Sequence, residues 1–518
     1  MIPSLLHELV THAAARTPQA TALIDGETRL DYAGLVEAMR RCADGLLGLG
    51  LQRGERVGIY LEKRCETVIA CFGSAAAGGV FVPINPLLKP AQVEHILRDC
   101  NVRVLITSPE RQALLADTLP RCRDLRQTVL TGASAPAPAI AWDALLASPA
   151  APAQRVIDSD MVAIFYTSGS TGKAKGVVLS HRNFVAGAQS VASYLENKAD
   201  DVLLAALPLS FDAGFSQLTT AFHAGASVVL LNYLLPRDVL KAMLKNGVTG
   251  LTAVPPLYIQ LAGLDWPPEI AGRLRYFANT GGVLPQETLA ALRQRLPASR
   301  PFLMYGLTEA FRSTYLPPEE IDRRPGSIGK AIPNAEILVL RDDGTPCAAD
   351  EPGELVHRGA LVGLGYWNDA EKTAERYRPL PASLRAEGLM LPEIAVFSGD
   401  TVRRDADGFL YFIGRRDEMI KTSGYRVSPA EIEEVLYASG CVAECAVFGL
   451  PHPTLGQSIH AVLILSGDFV DVEALLADCR QRLPAYMLPE IHVFSGLQLP
   501  RNANGKIDRR QLAQNFAR

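Results

Sequence analysis

Residues 166–176 read YTSGSTGKAKG and follow an apolar, strand-like run at 161–165. Glycine allows backbone N–H groups to turn toward an anion, hydroxyl side chains donate further hydrogen bonds, and lysine supplies positive charge. The stretch therefore predicts a loop that binds a polyphosphate, since a polar surface turn does not need so many donors. It is not a Walker A loop, because Lys173 is followed by alanine and the glycine spacing differs. The residues predicted to bind the phosphates are Thr167, Ser168, Gly169, Ser170, Thr171, Gly172 and Lys173.

Helical and strand-like patterns alternate on both sides of this loop. Apolar spacing predicts helices at 37–47 and 91–99, and apolar runs predict strands at 56–61 and 102–107. A chain that alternates in this way favours parallel sheets covered by helices, which is an α/β fold. The Ala- and Pro-rich stretch at 133–152 is expected to be a surface excursion before the next strand.

The second half of the chain changes character. Short strands with Gly and Pro punctuation predict a smaller β subdomain at about 326–400. From residue 414 onward, a new unit of about a hundred residues alternates strand-like and helical runs and predicts a small α+β domain. The predicted division is an N-terminal domain at 1–415, which includes the β subdomain, and a C-terminal domain at 416–518. Within the C-terminal domain, strands are predicted at 443–448 and 460–465 and helices at 428–437 and 472–483.

Length, composition and charge exclude several classes of protein. At roughly 150 residues per domain, 518 residues indicate about three domains or subdomains. Hydrophobic residues make up 48% of the chain, which is enough apolar mass to fold and excludes a disordered protein. With 51 Lys plus Arg against 55 Asp plus Glu, the net charge is −4 and offers no basic excess for nucleic acid.

The cysteines and the apolar segments indicate a cytoplasmic protein with no membrane partner. The nine cysteines are scattered, odd in number and without a C-x-x-C pair, which favours reduced thiols. Residues 1–16 lack the unbroken apolar core of a signal peptide. The uncharged stretch at 67–88 is long enough to span a bilayer, but glycines and prolines interrupt it. A buried helix, a turn and a short strand are expected there instead.

The loop at 167–176 resembles the signature loop of the adenylate-forming superfamily, which includes acyl-CoA synthetases, luciferases and the adenylation domains of peptide synthetases. Further motifs of that superfamily follow in the same order along the whole chain. They are NTGG at 279–282, MYGLTE at 304–309, SGD at 398–400, GRRDEMIK at 414–421 and LPRNANGKI at 499–507. The resemblance implies a large N-terminal region of α/β sheets with a β subdomain, a small mobile α+β C-terminal domain, and ATP and Mg²⁺ as cofactors.

The same resemblance implies which residues bind the nucleotide. Gly281 would lie in a turn against the adenine, and Tyr305 would stack on that base. Asp400 would accept hydrogen bonds from the ribose hydroxyls, which suits a carboxylate because it only accepts when ionised. Arg415 would help to bind the same sugar.

The resemblance also implies the residues that carry out the chemistry. Thr308 would reach the α-phosphate, and Glu309 would hold Mg²⁺, a hard ion that prefers oxygen ligands. Lys506 would stabilise the negative charge that develops when a carboxylate attacks the α-phosphate. Asp417 would be the hinge about which the small domain rotates, withdrawing Lys506 and presenting the 424–426 stretch to the channel of a thiol. The reaction would then yield a thioester in place of the acyl-adenylate.

The stretch at 208–215, PLSFDAGF, bears on the substrate. Amino-acid-activating members of the superfamily tend to have Asp after this Phe, and a carboxylate in a pocket costs several kcal/mol unless it is paired. Asp212 therefore indicates a small amino acid whose ammonium or imino group pairs with it, unless Arg312 pairs with Asp212 directly. The other residues that would face the substrate are Ala213, Ser216, Ala253, Asn279, Met304, Arg312 and Ser313.

The acceptor is expected to be a phosphopantetheine thiol. The sequence is similar to stand-alone amino-acid:carrier-protein ligases and to ligases associated with the exosortase system. Because the chain stops at Arg518 without a carrier module, the thiol is expected on a separate carrier protein, with free CoA as the alternative. In the CoA alternative, the enzyme would be an acyl-CoA ligase for a small carboxylic acid. A luciferase-like oxygenase would also begin with adenylation, whereas a non-catalytic paralogue would be expected to lack Lys506 or Glu309.

Overall fold

The computed structural model describes residues 2–167, 174–282, 284, 286–385, 387–388, 390–415, 419–427, 429–465, 471–496, 498–500, 507 and 509–516. Over these residues the chain forms three sheets covered by helices. Two sheets belong to the part of the chain before residue 416, and the third belongs to the part after it. No helix in these ranges is both long and apolar enough to cross a membrane.

The first sheet ends at the phosphate loop and is mostly parallel. In spatial order its described strands are Gly365–Tyr366, Lys175–Ser180, Met161–Thr167, Val80–Pro83, Arg56–Tyr60, Val102–Thr107, Gln127–Leu130 and Ile140–Ala141. The last six are parallel to one another, whereas the first three pair antiparallel. Thr167 and Lys175 are register partners, so the loop between them connects two adjacent strands at one edge of the parallel part.

The second sheet joins a parallel half to an antiparallel half. Its parallel half holds the described strands Thr21–Asp25, Ser227–Leu230, Val202–Ala205, Gly250–Ala253, Tyr276–Asn279 and Arg300–Tyr305, with Thr28–Asp31 antiparallel at the edge. Its antiparallel half holds Thr314–Leu316, Ser327–Ala331, Leu410–Arg415, Ile394–Arg404, Gly353–Gly359, Ala335–Leu340 and Tyr377–Pro379. The β-rich part therefore extends to Arg415 and is longer than the predicted 326–400.

The third sheet is formed by the C-terminal part of the chain. Its described strands are Tyr425–Val427, Ile420–Thr422, Gly456–Leu465, Val442–His452 and Glu490–Val493. The helices Pro429–Ala438, Val472–Arg482 and Arg509–Phe516 accompany it, so this part is α+β as predicted. Its apolar residues form clusters of their own, separate from those of the first two sheets.

The remaining helices cover the first two sheets. They are Glu8–Arg16, Tyr32–Gly48, Cys65–Ala76, Pro90–Asp99, Pro109–Leu114, Trp142–Leu146, His181–Tyr194, Asp212–Ala224, Pro236–Asn246, Pro255–Ala262, Pro268–Arg273, Gln286–Arg295 and Ala370–Arg376. A cluster of buried phenylalanines joins the sheets through these helices. The Phe215 ring lies 4.9 Å from Phe81 and 5.4 Å from Phe184, centroid to centroid, and thereby fixes the helix that begins at Asp212.

The α/β fold with a β-rich part and a small α+β unit is confirmed, and so are most of the predicted elements. The 133–152 stretch was predicted wrongly as a surface excursion. It contains a short strand, Ile140–Ala141, that extends the first sheet, and a helix, Trp142–Leu146, whose Trp142 and Leu145 are buried. Leu145 packs against Gly45, and this tertiary contact has no signature in an Ala- and Pro-rich sequence. All nine cysteines are free, and seven of them are buried.

Candidate active site

A cavity lies where the C-terminal ends of the parallel strands meet the third sheet. Ligand sites of open α/β folds form at this end of the strands. The sequence-predicted residues that line it are Thr167, Asp212, Ala213, Gly281, Thr308, Glu309 and Arg312. The chain brings them together from four separate stretches of sequence, and this convergence identifies the cavity as the candidate active site.

A narrow cleft adjoins this cavity, and Ala213 and Arg312 line both. The other predicted substrate residues in its wall are Ser216 and Met304. Sequence reasoning missed Gln217 and Thr220, which also line the cleft. These positions follow 213 and 216 at helical spacing along Asp212–Ala224, so the 3.6-residue period was the signal that could have found them.

Several buried polar atoms in the wall of the cleft have no protein partner. Within the described residues, no hydrogen-bond partner is found for Gln217 Oε1, Thr220 Oγ1 or Arg312 Nε. A buried donor or acceptor without a partner costs about 1–3 kcal/mol. A small substrate with a polar group would satisfy such atoms, so the cleft fits a polar substrate side chain better than a long aliphatic one.

Asp212 stands at the start of its helix because the preceding loop turns back against it. Gly214 makes this approach feasible, since a Cβ there would lie 1.8 Å from the Pro208 carbonyl oxygen. Asp212 is the first residue of the helix Asp212–Ala224. The helix dipole favours the negative charge of its carboxylate at this end. Its Oδ1 accepts a hydrogen bond from the Thr308 hydroxyl at 3.0 Å.

Asp212 and Arg312 do not form the ion pair that the sequence left open. The Arg312 guanidinium is 2% exposed and donates from Nη1 to the Thr280 hydroxyl at 2.7 Å. Both residues line the cavity, but within the described part of the chain the Arg312 guanidinium bonds to Thr280 and forms no ion pair with Asp212. The Asp212 carboxylate is therefore not neutralised by this arginine.

Glu309 is held by a tight turn and by a tyrosine. It lies in the short 3₁₀ turn Thr308–Ala310, which is followed by Phe311 with a φ of 56°. The Phe311 ring packs 5.0 Å from Phe184, and such packing is what sustains a strained backbone. The Tyr366 hydroxyl donates to Glu309 Oε1 at 2.6 Å.

Tyr366 is a site residue that sequence reasoning missed. Burial, followed by the charge of Glu309, raises the pKa of Tyr366 well above its usual range, so the hydroxyl keeps the proton that it donates. The Glu309 carboxylate lies in the cavity wall, and carboxylate oxygens are ligands that Mg²⁺ prefers. Glu309 therefore fits a role in holding Mg²⁺, with Tyr366 fixing one of its oxygens.

Tyr305 and Asp400 are brought together, but behind the cavity wall. The Tyr305 hydroxyl donates to Asp400 Oδ2 at 2.5 Å, and the two side chains are 9% and 1% exposed. The backbone N–H of Asp400 donates to Ser398 Oγ at 3.0 Å, and Ser398 itself lines the cavity. The predicted contacts of Tyr305 with adenine and of Asp400 with ribose stay predictions.

Three other predicted substrate residues line neither cavity. Ala253 and Asn279 are register partners at the ends of neighbouring strands, and Asn279 Nδ2 donates to the Gly282 carbonyl at 2.8 Å. The Ser313 hydroxyl is fully buried and hydrogen-bonded to His357 Nδ1 at 2.9 Å. Burial lowers the pKa of His357 to about 3, so this pair is uncharged at neutral pH and has the character of a structural contact.

The remaining predicted residues lie outside the part of the chain that the structure describes, apart from the backbone of Arg415. Ser168, Gly169, Ser170, Thr171, Gly172 and Lys173 lie outside the described residues, and so do Asp417 and Lys506. Arg415 ends the strand Leu410–Arg415, where its backbone pairs with Asp400, but its side chain is not described. These assignments stay predictions.

The third sheet contributes a hairpin to the cavity. Gly424 and Tyr425 line it, and the Tyr425 ring lies 4.9 Å from Phe211 and stacks at 3.6 Å on Tyr486. Gly424 has a φ of 82°, and a Cβ there would lie 2.9 Å from Val254 Cγ2. The hairpin can therefore approach this closely only with glycine at its tip.

Comparison with known proteins decides the family. A protein-family model described as AMP-binding enzyme matches residues 10–367. A second family model, described as AMP-binding enzyme C-terminal domain, matches residues 431–506. The chain belongs to the AMP-binding enzymes. This AMP-binding enzyme is 31% identical to an L-proline--[L-prolyl-carrier protein] ligase of Pseudomonas fluorescens, over 98% of this chain and 99% of that protein. It is 32% identical to a feruloyl-CoA synthase of an Amycolatopsis species, over 97% of both chains.

A solved structure agrees with the family. The o-succinylbenzoate CoA synthetase of Bacillus subtilis, bound to a product analogue, superimposes with a TM-score of 0.83, 28% identity and 98% coverage of both chains. This AMP-binding enzyme is an AMP-forming acid–thiol ligase that forms an acyl-adenylate from ATP and transfers the acyl group to a thiol. The superfamily, the reaction type and the use of ATP that the motifs implied are thus confirmed.

Proposed function

We propose that this enzyme activates a small amino acid as its aminoacyl-adenylate and transfers it to the phosphopantetheine thiol of a carrier protein. The observation that carries the proposal is the Asp212 carboxylate in the cavity wall, beside an arginine that donates elsewhere. A substrate ammonium in the cavity would donate a charge-assisted hydrogen bond to the Asp212 carboxylate, in addition to the contacts that Asp212 already has. The full-length similarity to a prolyl-carrier ligase supports the same substrate class.

The proposed mechanism begins with adenylation. The substrate carboxylate attacks the α-phosphorus of ATP, and pyrophosphate leaves. Lys506 stabilises the negative charge that develops on the phosphoryl oxygens, and the Thr308 hydroxyl adds a hydrogen bond when it turns its one proton from Asp212 to the α-phosphate. Glu309, held by Tyr366, would hold Mg²⁺, which would supply positive charge to offset that of the phosphates. The loop at 168–173 donates to the other two phosphates.

The second half-reaction needs a different arrangement of the same chain. We propose that the domain at 416–518 rotates about Asp417 against the domain at 1–415, so that Lys506 leaves and the 424–426 stretch enters. The thiol sulfur then attacks the acyl carbonyl as its proton passes to solvent, a C–S bond forms, and the acyl C–O bond to AMP breaks so that AMP leaves with the bonding electrons. We assign the arrangement in this structure to thioester formation. The presence of Gly424 and Tyr425 in the cavity wall supports that assignment.

One observation favours the CoA alternative. A groove next to the cavity is lined by four arginines, Arg98, Arg121, Arg123 and Arg482, together with the acidic residues Glu94, Asp99, Asp124 and Glu431. Arginine is well suited to the phosphates of a nucleotide, but Arg98 and Arg121 pair with Glu94 and Arg482 pairs with Asp478, so a phosphate would have to compete with these carboxylates. The similarity to a feruloyl-CoA synthase supports CoA as the acceptor in the same way.

A transfer assay distinguishes the two acceptors. Radiolabelled glycine, alanine, serine, proline and propionate are each incubated with enzyme, ATP, Mg²⁺ and one acceptor. The acceptors are a holo-peptidyl carrier protein, its apo form, and CoA. The proposal expects acid-precipitable label on the holo form and none on the apo form. Label on CoA alone would overturn the carrier assignment in favour of an acyl-CoA ligase.

Asp212→Asn is expected to impair the activation of amino acids more than that of acids without an amino group. It removes the charge that pairs with an ammonium, while its remaining carbonyl oxygen still accepts from Thr308. We expect kcat/KM for the best amino acid to fall about 10–100-fold, or ~1.4–2.8 kcal/mol, whereas that for the matching deaminated acid changes little. Pyrophosphate exchange with both substrates measures this difference. An equal loss for both acids would mean that Asp212 stabilises the start of its helix and does not bind the substrate amine.

Tyr366→Phe is expected to weaken the Mg²⁺ dependence. The variant loses the hydroxyl that fixes Glu309 Oε1, and loss of such an outer contact costs about tenfold in metal affinity. Exchange at fixed ATP, with free Mg²⁺ varied, should require about tenfold more Mg²⁺. Tyr377→Phe is the matched control, since the Tyr377 hydroxyl donates to the Glu309 backbone oxygen, at 3.4 Å, and not to its carboxylate. Identical Mg²⁺ curves for wild type and Tyr366→Phe would remove Tyr366 from the site.

A further inference from the structure

Two histidines and a glutamate meet on neighbouring strands of the third sheet, away from the ATP cavity. His460 lies on Gly456–Leu465, and Glu490 and His492 lie on the parallel strand Glu490–Val493, with His460 and Glu490 as register partners. One ligand atom of each residue lies within 4.8 Å of the other two. None of the three lines the candidate active site.

The distances between these atoms are close to those of a metal site. His460 Nδ1 and His492 Nε2 are 2.9 Å apart and share one hydrogen bond. Glu490 carboxylate oxygens lie 3.7 Å from His460 Nδ1 and 3.9 Å from His492 Nε2. With Zn–N bonds of about 2.0–2.1 Å, tetrahedral ligand atoms are about 3.4 Å apart, so shifts well below 1 Å would suffice.

The surroundings orient one ligand and leave the site open on one side. His460 Nε2 is hydrogen-bonded to Ser458 Oγ at 2.7 Å, which fixes the ring with Nδ1 toward the other two residues. Metal-binding histidines commonly have such a partner on the second nitrogen. The His460 side chain is 11% exposed, that of His492 is 25% exposed and that of Glu490 is 65% exposed, so an ion and a water molecule can approach from the glutamate.

Aromatic rings cover the other side. The His492 ring lies 4.7 Å from Phe516, and the His460 ring lies 6.2 Å from Phe448. Phe516 ends the helix Arg509–Phe516, which packs on this face of the sheet. The histidine nitrogens are thus held in place by the fold and shielded from water on one side.

We propose that His460, His492 and Glu490 bind a borderline divalent transition-metal ion such as Zn²⁺, with water as the fourth ligand. Two imidazole nitrogens and one carboxylate suit Zn²⁺, Ni²⁺ or Cu²⁺, whereas Mg²⁺ prefers oxygen ligands alone. The ion replaces the hydrogen bond between the two imidazoles. The site is distinct from the Mg²⁺ position at Glu309 and does not depend on the proposed substrate.

The test uses the untagged full-length protein and Zn²⁺ alone. Zn²⁺ is titrated against a chromophoric chelator, and Co²⁺ is added separately to record its visible absorption. His492→Gln and Glu490→Gln each remove one ligand at a partly or largely exposed position, so folding is expected to survive, which circular dichroism checks. His12→Gln, in the helix Glu8–Arg16, is the matched control.

The proposal expects one Zn²⁺ equivalent that is bound at least tenfold more weakly by His492→Gln, several-fold more weakly by Glu490→Gln and equally by His12→Gln. Millimolar Mg²⁺ should not displace it, and Co²⁺ should give an intense tetrahedral band that His492→Gln loses. Zn²⁺ affinity that is unchanged in both ligand variants, or the absence of that Co²⁺ band, would overturn the proposal. The three residues would then be only a hydrogen-bonded cluster at the edge of the sheet.

Discussion

Lys506→Ala is expected to lower the rate of adenylation by about 10²–10³-fold, because one charge that stabilises the transition state is lost. The thiol-transfer half-reaction is expected to survive, since the proposed mechanism withdraws Lys506 before the thiol enters. Pyrophosphate exchange measures the first half-reaction. Thioester formation from supplied aminoacyl-adenylate measures the second.

Arg480→Ala controls for a general effect of lost positive charge, because Arg480 is an exposed cation in Val472–Arg482 of the same domain. It should leave both half-reactions unchanged. If Lys506→Ala lost both half-reactions equally, the two arrangements of the domain would not divide the chemistry as proposed.

Gly424→Ala is expected to have the opposite effect to Lys506→Ala: it should impair thioester formation and spare adenylation. A Cβ at this position meets Val254 at 2.9–3.1 Å, and the φ of 82° adds strain for any residue other than glycine. The contact with Val254 acts only on the arrangement in which the hairpin enters the cavity, whereas the backbone strain acts on the hairpin in either arrangement. We expect thioester formation to fall about 10–100-fold, or ~1.4–2.8 kcal/mol, whereas pyrophosphate exchange stays within about twofold of wild type.

Gly440→Ala separates the contact from the backbone strain. Gly440 belongs to the same domain and has a φ of 72°, but a Cβ there would meet nothing within 4 Å. It should leave thioester formation near the wild-type rate. A loss as large as that of Gly424→Ala would attribute the effect to destabilisation of the domain. A Gly424→Ala enzyme with full transfer activity would contradict the thioester-forming assignment.

Much of the fold could be predicted from local pattern. The strand Val102–Thr107 has the predicted bounds, because its apolar run is short and clearly punctuated. The 133–152 stretch could not be predicted, since its strand and helix are stabilised by contacts with residues near 45 and 130. The last strands of the β-rich part pair with partners that precede them by about 40–80 residues, so no local pattern marks where that part ends.

Residues of the candidate site could be predicted from the sequence where they belong to a recognisable motif. Asp212, Thr308 and Glu309 converge on one cavity, and their contacts could be expected only in part. Tyr366 lies 57 residues from the carboxylate that it contacts, so no sequence spacing connects the two. The partner of Arg312 is Thr280, not the nearby Asp212, and this choice depends on side-chain direction, which a sequence does not display.

Pyrophosphate exchange over matched substrate pairs tests the central claim most directly. Each small amino acid is compared with the acid that lacks only its amino group, such as alanine with propionate, under Mg²⁺ and ATP. The account predicts strong exchange with one or a few amino acids and exchange about 10–100-fold weaker with the matched acids, the gap that Asp212→Asn should close. Exchange that is equal for both members of every pair would contradict the assignment of Asp212 as the amine-binding residue.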